Sequence, residues 1–469
     1  MSHNVHIRRN NRDFQFEVDD QVDLWTGGPR GSAISSEVGG SDFAAAVCYA
    51  LQHPTDYPPI SGGVVPGDAV AIVVDVEVPS PAEAVAGVLR ALESLELSRI
   101  DVVIGESASE ATRKQLRESL PQHVDLTVHS GKSRDDLRYL AANEAADPIY
   151  LNRRIVDADL VIPIEVMRKN DPLLAGSTSN AVFPTLSDHR SQARARIGAA
   201  DVHASLKKRR KAAADDEASR VGWLLGLQWL VQVEVTADGM PAAVHVGTSE
   251  TLAAHQDDAS SDAHAPFAGD VVIACVDGSE QQQSLVNLLR AALVARKHAS
   301  SEASIVLVSD IGELGVIAET GDDYEEDEEA EQERLNAARG ERSDESSDDD
   351  RGDDDQSDDD TRGGSNRAQD ATLEGAIVDS PEEHARKILH ELVNDLDSPH
   401  RYLLFSNCNE EEAEGFGFGV IQDEHSLQRL VNGHDSCLVL RMAQLASTIA
   451  APGNASASPT DSRSGRRSL

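Results

Sequence analysis

From about residue 69 onward, short continuous apolar runs alternate with segments whose apolar residues recur every three or four positions. AVAIVVD (residues 69–75) has the continuous apolar character of a strand buried on both faces. PSPAEAVAGVLRALESL follows, with Val85, Val88, Leu89, Leu92 and Leu95 at helical spacing and prolines at its start. IDVVIGE (100–106) predicts the next strand and SEATRKQLRESL a polar surface helix. VDLTVHS, PIYLNRRIV and ADLVIPIEV predict further strands. This alternation predicts an α/β fold with a mainly parallel sheet covered on both faces.

The period changes in places. Residues 191–220 are rich in Ala and Arg and predict a helix. Val231, Val233 and Val235 alternate, Asp238 and Gly239 make a turn, and Ala243, His245 and Gly247 lie on the return strand of a predicted hairpin. A second α/β unit starts at VVIACVD (271–277), with Ser279 and Gln282 at capping-box spacing and Leu285, Leu289, Ala292 and Leu293 on one helix face. SIVLVSD, the helix PEEHARKILHELVNDL, YLLFSN and SCLVLRM continue it, and GFGFG (415–419) reads as a loop between strand and helix. Two lobes are therefore expected, each a mainly parallel sheet flanked by helices. The first spans residues 20–247 and the second 265–447, with a polar linker at 248–264. An acidic segment at 321–370 interrupts the second lobe, and a tail covers 451–469. Both segments have too few apolar residues to offset the entropy of ordering and are expected to be disordered.

Charge narrows the partners. The chain of 469 residues has a formal net charge of −40, which argues against nucleic acid and anionic membranes. Residues 321–370 hold 22 Asp or Glu against 6 Arg, yet the remainder is acidic too. Lys207, Lys208, Arg209, Arg210 and Lys211 form a basic cluster, expected on a solvated helix face or paired with the acidic segment. Cys48, Cys275, Cys408 and Cys437 are far apart with no CxxC, so reduced core thiols are expected rather than a disulfide framework or zinc site. No apolar run approaches the length of a spanning helix and the N-terminus lacks a signal-like core, so a cytoplasmic location is expected.

PLLAGSTSNAVFPTLSDHRS (172–191) follows an apolar strand, where α/β enzymes hold phosphates and catalytic groups. With VPGDAVAIVVD, VHSGKSRDDLRYL and YLNRRIVDADLVIPI, it resembles the nickel-dependent lactate racemases and their LarA-like relatives over roughly residues 20–445, the acidic segment aside. The resemblance implies a nickel-pincer nucleotide as hydride acceptor, a pair of histidine bases, a lysine near the cofactor, a nickel-ligating histidine and an arginine clamping the substrate carboxylate. At the corresponding positions this chain has Ser107 and Pro172 for the bases, Val182 for the lysine and Arg196 for the metal ligand, and no arginine after Asp75 until Arg90. In the second lobe, residues 277–286 offer glutamines but neither the tyrosine nor the lysine that the resemblance implies there.

These replacements predict a catalytically degenerate LarA-like protein that acts by binding a ligand or partner. The alternative is an active 2-hydroxy-acid racemase. No catalytic or metal residue is assigned, and the nickel-pincer nucleotide, though implied by the resemblance, is not expected to be retained. Asp75, Gly105, His129, Gly176, Ser177, Thr178, Ser179, Asn180 and His189 are the candidate ligand-binding residues. Backbone N–H groups and hydroxyls in residues 176–180 suit a small phosphate-containing ligand. His129 is otherwise a strand-end hydrogen-bonding residue, and Asp188 with His189 a surface or helix-capping pair.

Overall fold

The computed structural model describes residues 3–9, 12–29, 34, 42–143, 146–168, 171, 173, 179–200, 217–260, 268–315, 380–395 and 398–445. The acidic segment 321–370, the tail, the basic cluster and Pro172, Gly176, Ser177 and Thr178 lie outside these residues.

Strands β1 (His3–Arg9) and β2 (Arg12–Val18) form an antiparallel hairpin, and β3 (Asp23–Gly27) follows. The first lobe contains β4 (Ala69–Val74), β5 (Arg99–Ile104), β6 (Val124–Val128), β7 (Leu137–Ala142), β8 (Pro148–Asn152), β9 (Leu160–Val166), β10 (Leu230–Val235) and β11 (Pro241–Gly247). Its six-stranded sheet has the order β11-β10-β9-β4-β5-β6, parallel except for the expected β10–β11 hairpin. The apolar runs split by parity. Val70, Ile72, Val74, Ile162 and Ile164 face the helices Asp42–Gln52 and Pro81–Leu92, while Ala71, Val73, Val103 and Val161 face Ile155, Val182 and Leu186. Both faces are thus dry, which explains the unbroken apolar runs. At the contact of the two helices, a Cβ on Gly87 would lie 2.6 Å from the Ala44 carbonyl oxygen, so only glycine permits this approach.

The second lobe contains β12 (Gly269–Cys275), β13 (Ala299–Val308), β14 (Arg401–Phe405), β15 (Gly419–Val420) and β16 (Ser436–Leu440). Its sheet runs β15-β14-β13-β12-β16-β3, with every pair parallel. One face is covered by the β1–β2 hairpin and the helix Glu424–Asn432 through Val5, Ile7, Phe16, Leu427 and Val431. The helices Leu285–Lys297 and Pro381–Val393 pack against each other, the former also against β12 and β13. The expected capping box at Ser279 and Gln282 is present. All four cysteines are free, with Cys275 and Cys437 buried in adjacent strands.

Several local expectations change. Residues 23–27, assigned by the sequence to the first lobe, extend the second lobe's sheet beside β16. PIYLNRRIV is not one strand: β8 pairs antiparallel with β7 outside the main sheet, and Arg153–Val156 turns into a helix. Asn152 causes the switch, because its side chain accepts the Arg154 N–H and caps that turn. The polar stretch after residue 248 opens as a helix, Ser249–Ser260, packed against β11. GFGFG ends the helix Glu410–Phe416 through left-handed Gly417 and starts β15. Among the described residues, no helix is long and apolar enough to cross a membrane.

Candidate functional site

The C-terminal ends of β4, β5 and β9 open onto a cleft of about 330 Å³ between the lobes. Residues after strand ends are where open α/β sheets place ligands, because the last side chains point out of the sheet into the crevice. From the first lobe come Asp75, Val76, Glu77, Gly105, Glu106, Ser107, Arg168 and Asn180. The helices Leu285–Lys297 and Pro381–Val393 contribute Val286, Leu289, Arg290, Glu382, His384, Ala385 and Ile388.

Charge in the cleft is organised as an alternating chain. Arg168 Nη1 donates to Asp75 Oδ2 at 2.9 Å and Arg168 Nη2 to Glu77 Oε2 at 2.8 Å. Arg290 Nη1 lies 3.5 Å from Glu77 Oε1, and Arg290 Nε lies 3.1 Å from Asp171 Oδ2. The order is therefore Asp75, Arg168, Glu77, Arg290, Asp171, with carboxylates at both ends. Burial pushes the Glu77 carboxyl upward, but Arg168 and Arg290 outweigh it and hold Glu77 below its ordinary range. Asn287 Nδ2 also donates to Glu77. Burial works against the Arg168 charge too, and Asp75, Glu77 and Asp171 outweigh it.

Beneath the chain lies Glu165, 3 % exposed. Strand parity puts it on the same sheet face as Asp75, and register puts it beside Gln232, whose Nε2 donates to Glu165 Oε1 at 3.0 Å. Burial raises its carboxyl to about 8, with the nearby Asp75 charge adding to the shift. Across the cleft, burial also raises Glu382, although its carboxyl accepts the Leu285 N–H.

The candidate residues separate clearly. Asp75, Gly105 and Asn180 line the cleft. Asp75 also accepts the Glu77 N–H, fixing the turn that presents Glu77. A Cβ on Gly105 would approach Thr185 Cγ2 to 3.1 Å, so its small size lets the 179–188 segment close over the strand end. Ser179 is buried and does not line the cleft. His129 is 1 % exposed and has both nitrogens engaged, Nε2 with the Ser187 carbonyl at 2.9 Å and Nδ1 with Asn152 Nδ2 at 3.2 Å. This pairing makes Nε2 the protonated nitrogen, and burial lowers its basicity. His189 pairs with Glu106 at 3.3 Å on the rim. Asp188 caps the helix His189–Ala200 by accepting the Arg190 and Ser191 N–H groups.

Ser107, at the position of one implied histidine base, lines the cleft, and its carbonyl accepts from Gln281 Nε2 at 2.9 Å. Gln281 Oε1 accepts the Ser109 N–H at 2.7 Å, so one side chain bridges the lobes. Val182, at the lysine position, is fully buried in the sheet-facing core. Among the described residues, no cluster of three or more His, Cys, Asp or Glu is arranged to hold a metal ion. The sequence reading missed Arg168, Glu77, Arg290 and Glu165. Two of them had a signal: Glu165 interrupts LVIPIEV and Arg290 interrupts LVNLLRAALV, and a charge inside an apolar run marks a buried partner.

A family model for the lactate racemase N-terminal domain matches residues 31–187. The lactate racemase apoprotein from Thermoanaerobacterium thermosaccharolyticum superposes with a TM-score of 0.63 at 12% identity, covering 94% of this chain and 99% of that one. A structural-genomics target from Thermotoga maritima superposes at 0.52 with 9% identity, over 87% of this chain and 97% of that one. No curated protein matches. The chain thus carries a LarA-like N-terminal domain, and its two lobes have the fold of a lactate racemase.

Proposed function

We propose that this LarA-like chain binds a small ligand in its interlobe cleft and does not racemise a 2-hydroxy acid. The observation that supports this reading is the ion chain from Asp75 to Asp171. A 2-hydroxy-acid racemase must present a guanidinium to the substrate carboxylate, since a bidentate arginine both neutralises and orients it. Arg168 and Arg290 are the arginines of the cleft among the described residues, and each is held between two carboxylates. Turning either toward a substrate would strand a buried carboxylate, at a cost on the order of 3–5 kcal/mol.

The nickel-pincer nucleotide does not fit these residues. An anionic nucleotide would face the carboxylates that line the cleft, Asp75, Glu77, Glu106 and Glu382. The lysine position holds Val182, buried with Ala71, Val73 and Val161 against the sheet. Ser107 offers a hydroxyl where a base of histidine strength is needed.

The test is chiral analysis of lactate after incubation with protein produced alongside nickel and the cofactor's maturation enzymes, with metal analysis of the same sample. The expected result is no racemisation above background and substoichiometric nickel. About one nickel per chain with racemisation would establish the alternative, an active racemase.

A further inference from the structure

Resting on the reading of the cleft as a ligand site, we propose that its ligand is an organic cation: an ammonium group carried on an apolar alkyl or aryl body. Two properties of the cleft carry this. The first is the sign of its charge. Among the described side chains lining it, Asp75, Glu77, Glu106 and Glu382 face Arg168 and Arg290, and Asp171 stands behind Arg290. Both guanidiniums occupy interior positions of the alternating chain, so the groups left at its ends are carboxylates. Of these ends Asp75 lines the cleft, so an incoming anion would meet a carboxylate there, whereas an ammonium would continue the alternation as its next positive member. The overall acidity of the chain does not account for this arrangement. Surface carboxylates are screened by water and salt, but the side chains of Asp75, Glu77 and Asp171 are only 13%, 16% and 5% exposed. Low local dielectric strengthens their field inside the cleft.

The second property is the wall. Val76, Leu173, Val286, Leu289, Ala385 and Ile388 supply an apolar surface from both lobes beside the charges. A bare metal ion or a fully polar polyamine would leave this surface in contact with water. An amphipathic cation would cover it and gain about 0.8 kcal/mol per buried methylene. Such sites, apolar with a few placed polar groups, are typical of small-ligand pockets.

The experiment is calorimetric titration of the full chain, at low salt, with butylammonium, hexylammonium and octylammonium, and with the carboxylates of the same chain lengths. Inorganic phosphate and adenosine monophosphate serve as further probes. The expected result is ammonium binding that tightens with chain length, roughly threefold to fourfold per methylene in contact with the wall, with no heat from the carboxylates. Val286→Trp, which fills the cleft, should abolish it. Glu106→Gln, on the exposed rim and therefore benign for folding, should weaken it by about threefold to fivefold. Tighter binding of carboxylates or phosphates than of ammonium ions overturns the cation and leaves the ligand-binding reading standing. No binding in any series overturns both, and ammonium binding indifferent to both substitutions overturns this site.

Discussion

Glu165→Gln isolates the electrostatic cost of building a carboxyl into the floor of the cleft. In the folded chain Glu165 holds its proton up to about pH 8, because burial and the Asp75 charge oppose ionisation more than Gln232 and Arg168 favour it. In the unfolded chain it loses the proton near pH 4.5. Between those values the folded state binds one more proton than the unfolded state, so stability falls as pH rises. The slope is about 1.4 kcal/mol per pH unit, and the accumulated loss by pH 8 is about 3–5 kcal/mol. Glutamine keeps an amide oxygen that can accept from Gln232 and removes the titration. Urea unfolding of both proteins from pH 5 to pH 9 should therefore give a stability difference, variant minus parent, that grows steadily with pH and levels off above about 8. Other groups, including the buried His129, titrate alike in both proteins and cancel in the difference. A flat difference across the range would mean that Glu165 ionises in the fold at its ordinary value.

Two further outcomes follow from the same balance of burial and charge. Arg290→Ala should cost about 3–5 kcal/mol in chemical unfolding, because it leaves Glu77 and Asp171, 16% and 5% exposed, short of their shared partner; a loss below about 1 kcal/mol would show the chain to be solvent-screened. Deleting residues 321–370 should leave Tm nearly unchanged or slightly higher, since it removes a net charge of −16 and few apolar side chains, and a marked drop in Tm on scanning calorimetry would count against this.

The elements that could be read from sequence are those whose side chains report burial. AVAIVVD, LVIPIEV and VVIACVD are apolar at consecutive positions because both sheet faces are covered, and such runs announce parallel strands wherever they fall. The β1–β2 hairpin was missed for the opposite reason. Val5 and Ile7, and Phe14, Phe16 and Val18, do alternate with polar residues. Each run is short, however, and more than half of its positions are His, Arg, Asp, Gln or Glu, so the alternation stands out less than an unbroken apolar run. Nor does any local pattern reveal that β3 pairs with β16, because that contact joins residues more than 400 apart in the chain.

The site was legible to the extent that its positions are fixed by strand ends. Asp75 and Gly105 follow apolar runs directly, so the rule that ligands gather beyond the carboxyl ends of strands locates them without coordinates. What the positions hold is another matter. Arg168 meets Glu77 across 91 residues and Arg290 meets it across more than 200, and no spacing rule connects them. The absence of arginine after Asp75 therefore says only that the clamp implied by the resemblance is missing from that strand end. It does not say that Glu77 occupies the same turn and draws in two arginines from other elements. A fold can keep its strand ends, and hence its cleft, whatever side chains are placed beyond them. Likeness in framework therefore leaves the chemistry to be argued from the residues in the cleft. The apolar runs that fix the framework lie in the sheets; Asp75, Glu77 and Arg168 lie just beyond their ends, while Glu165 and Arg290 interrupt apolar runs from within.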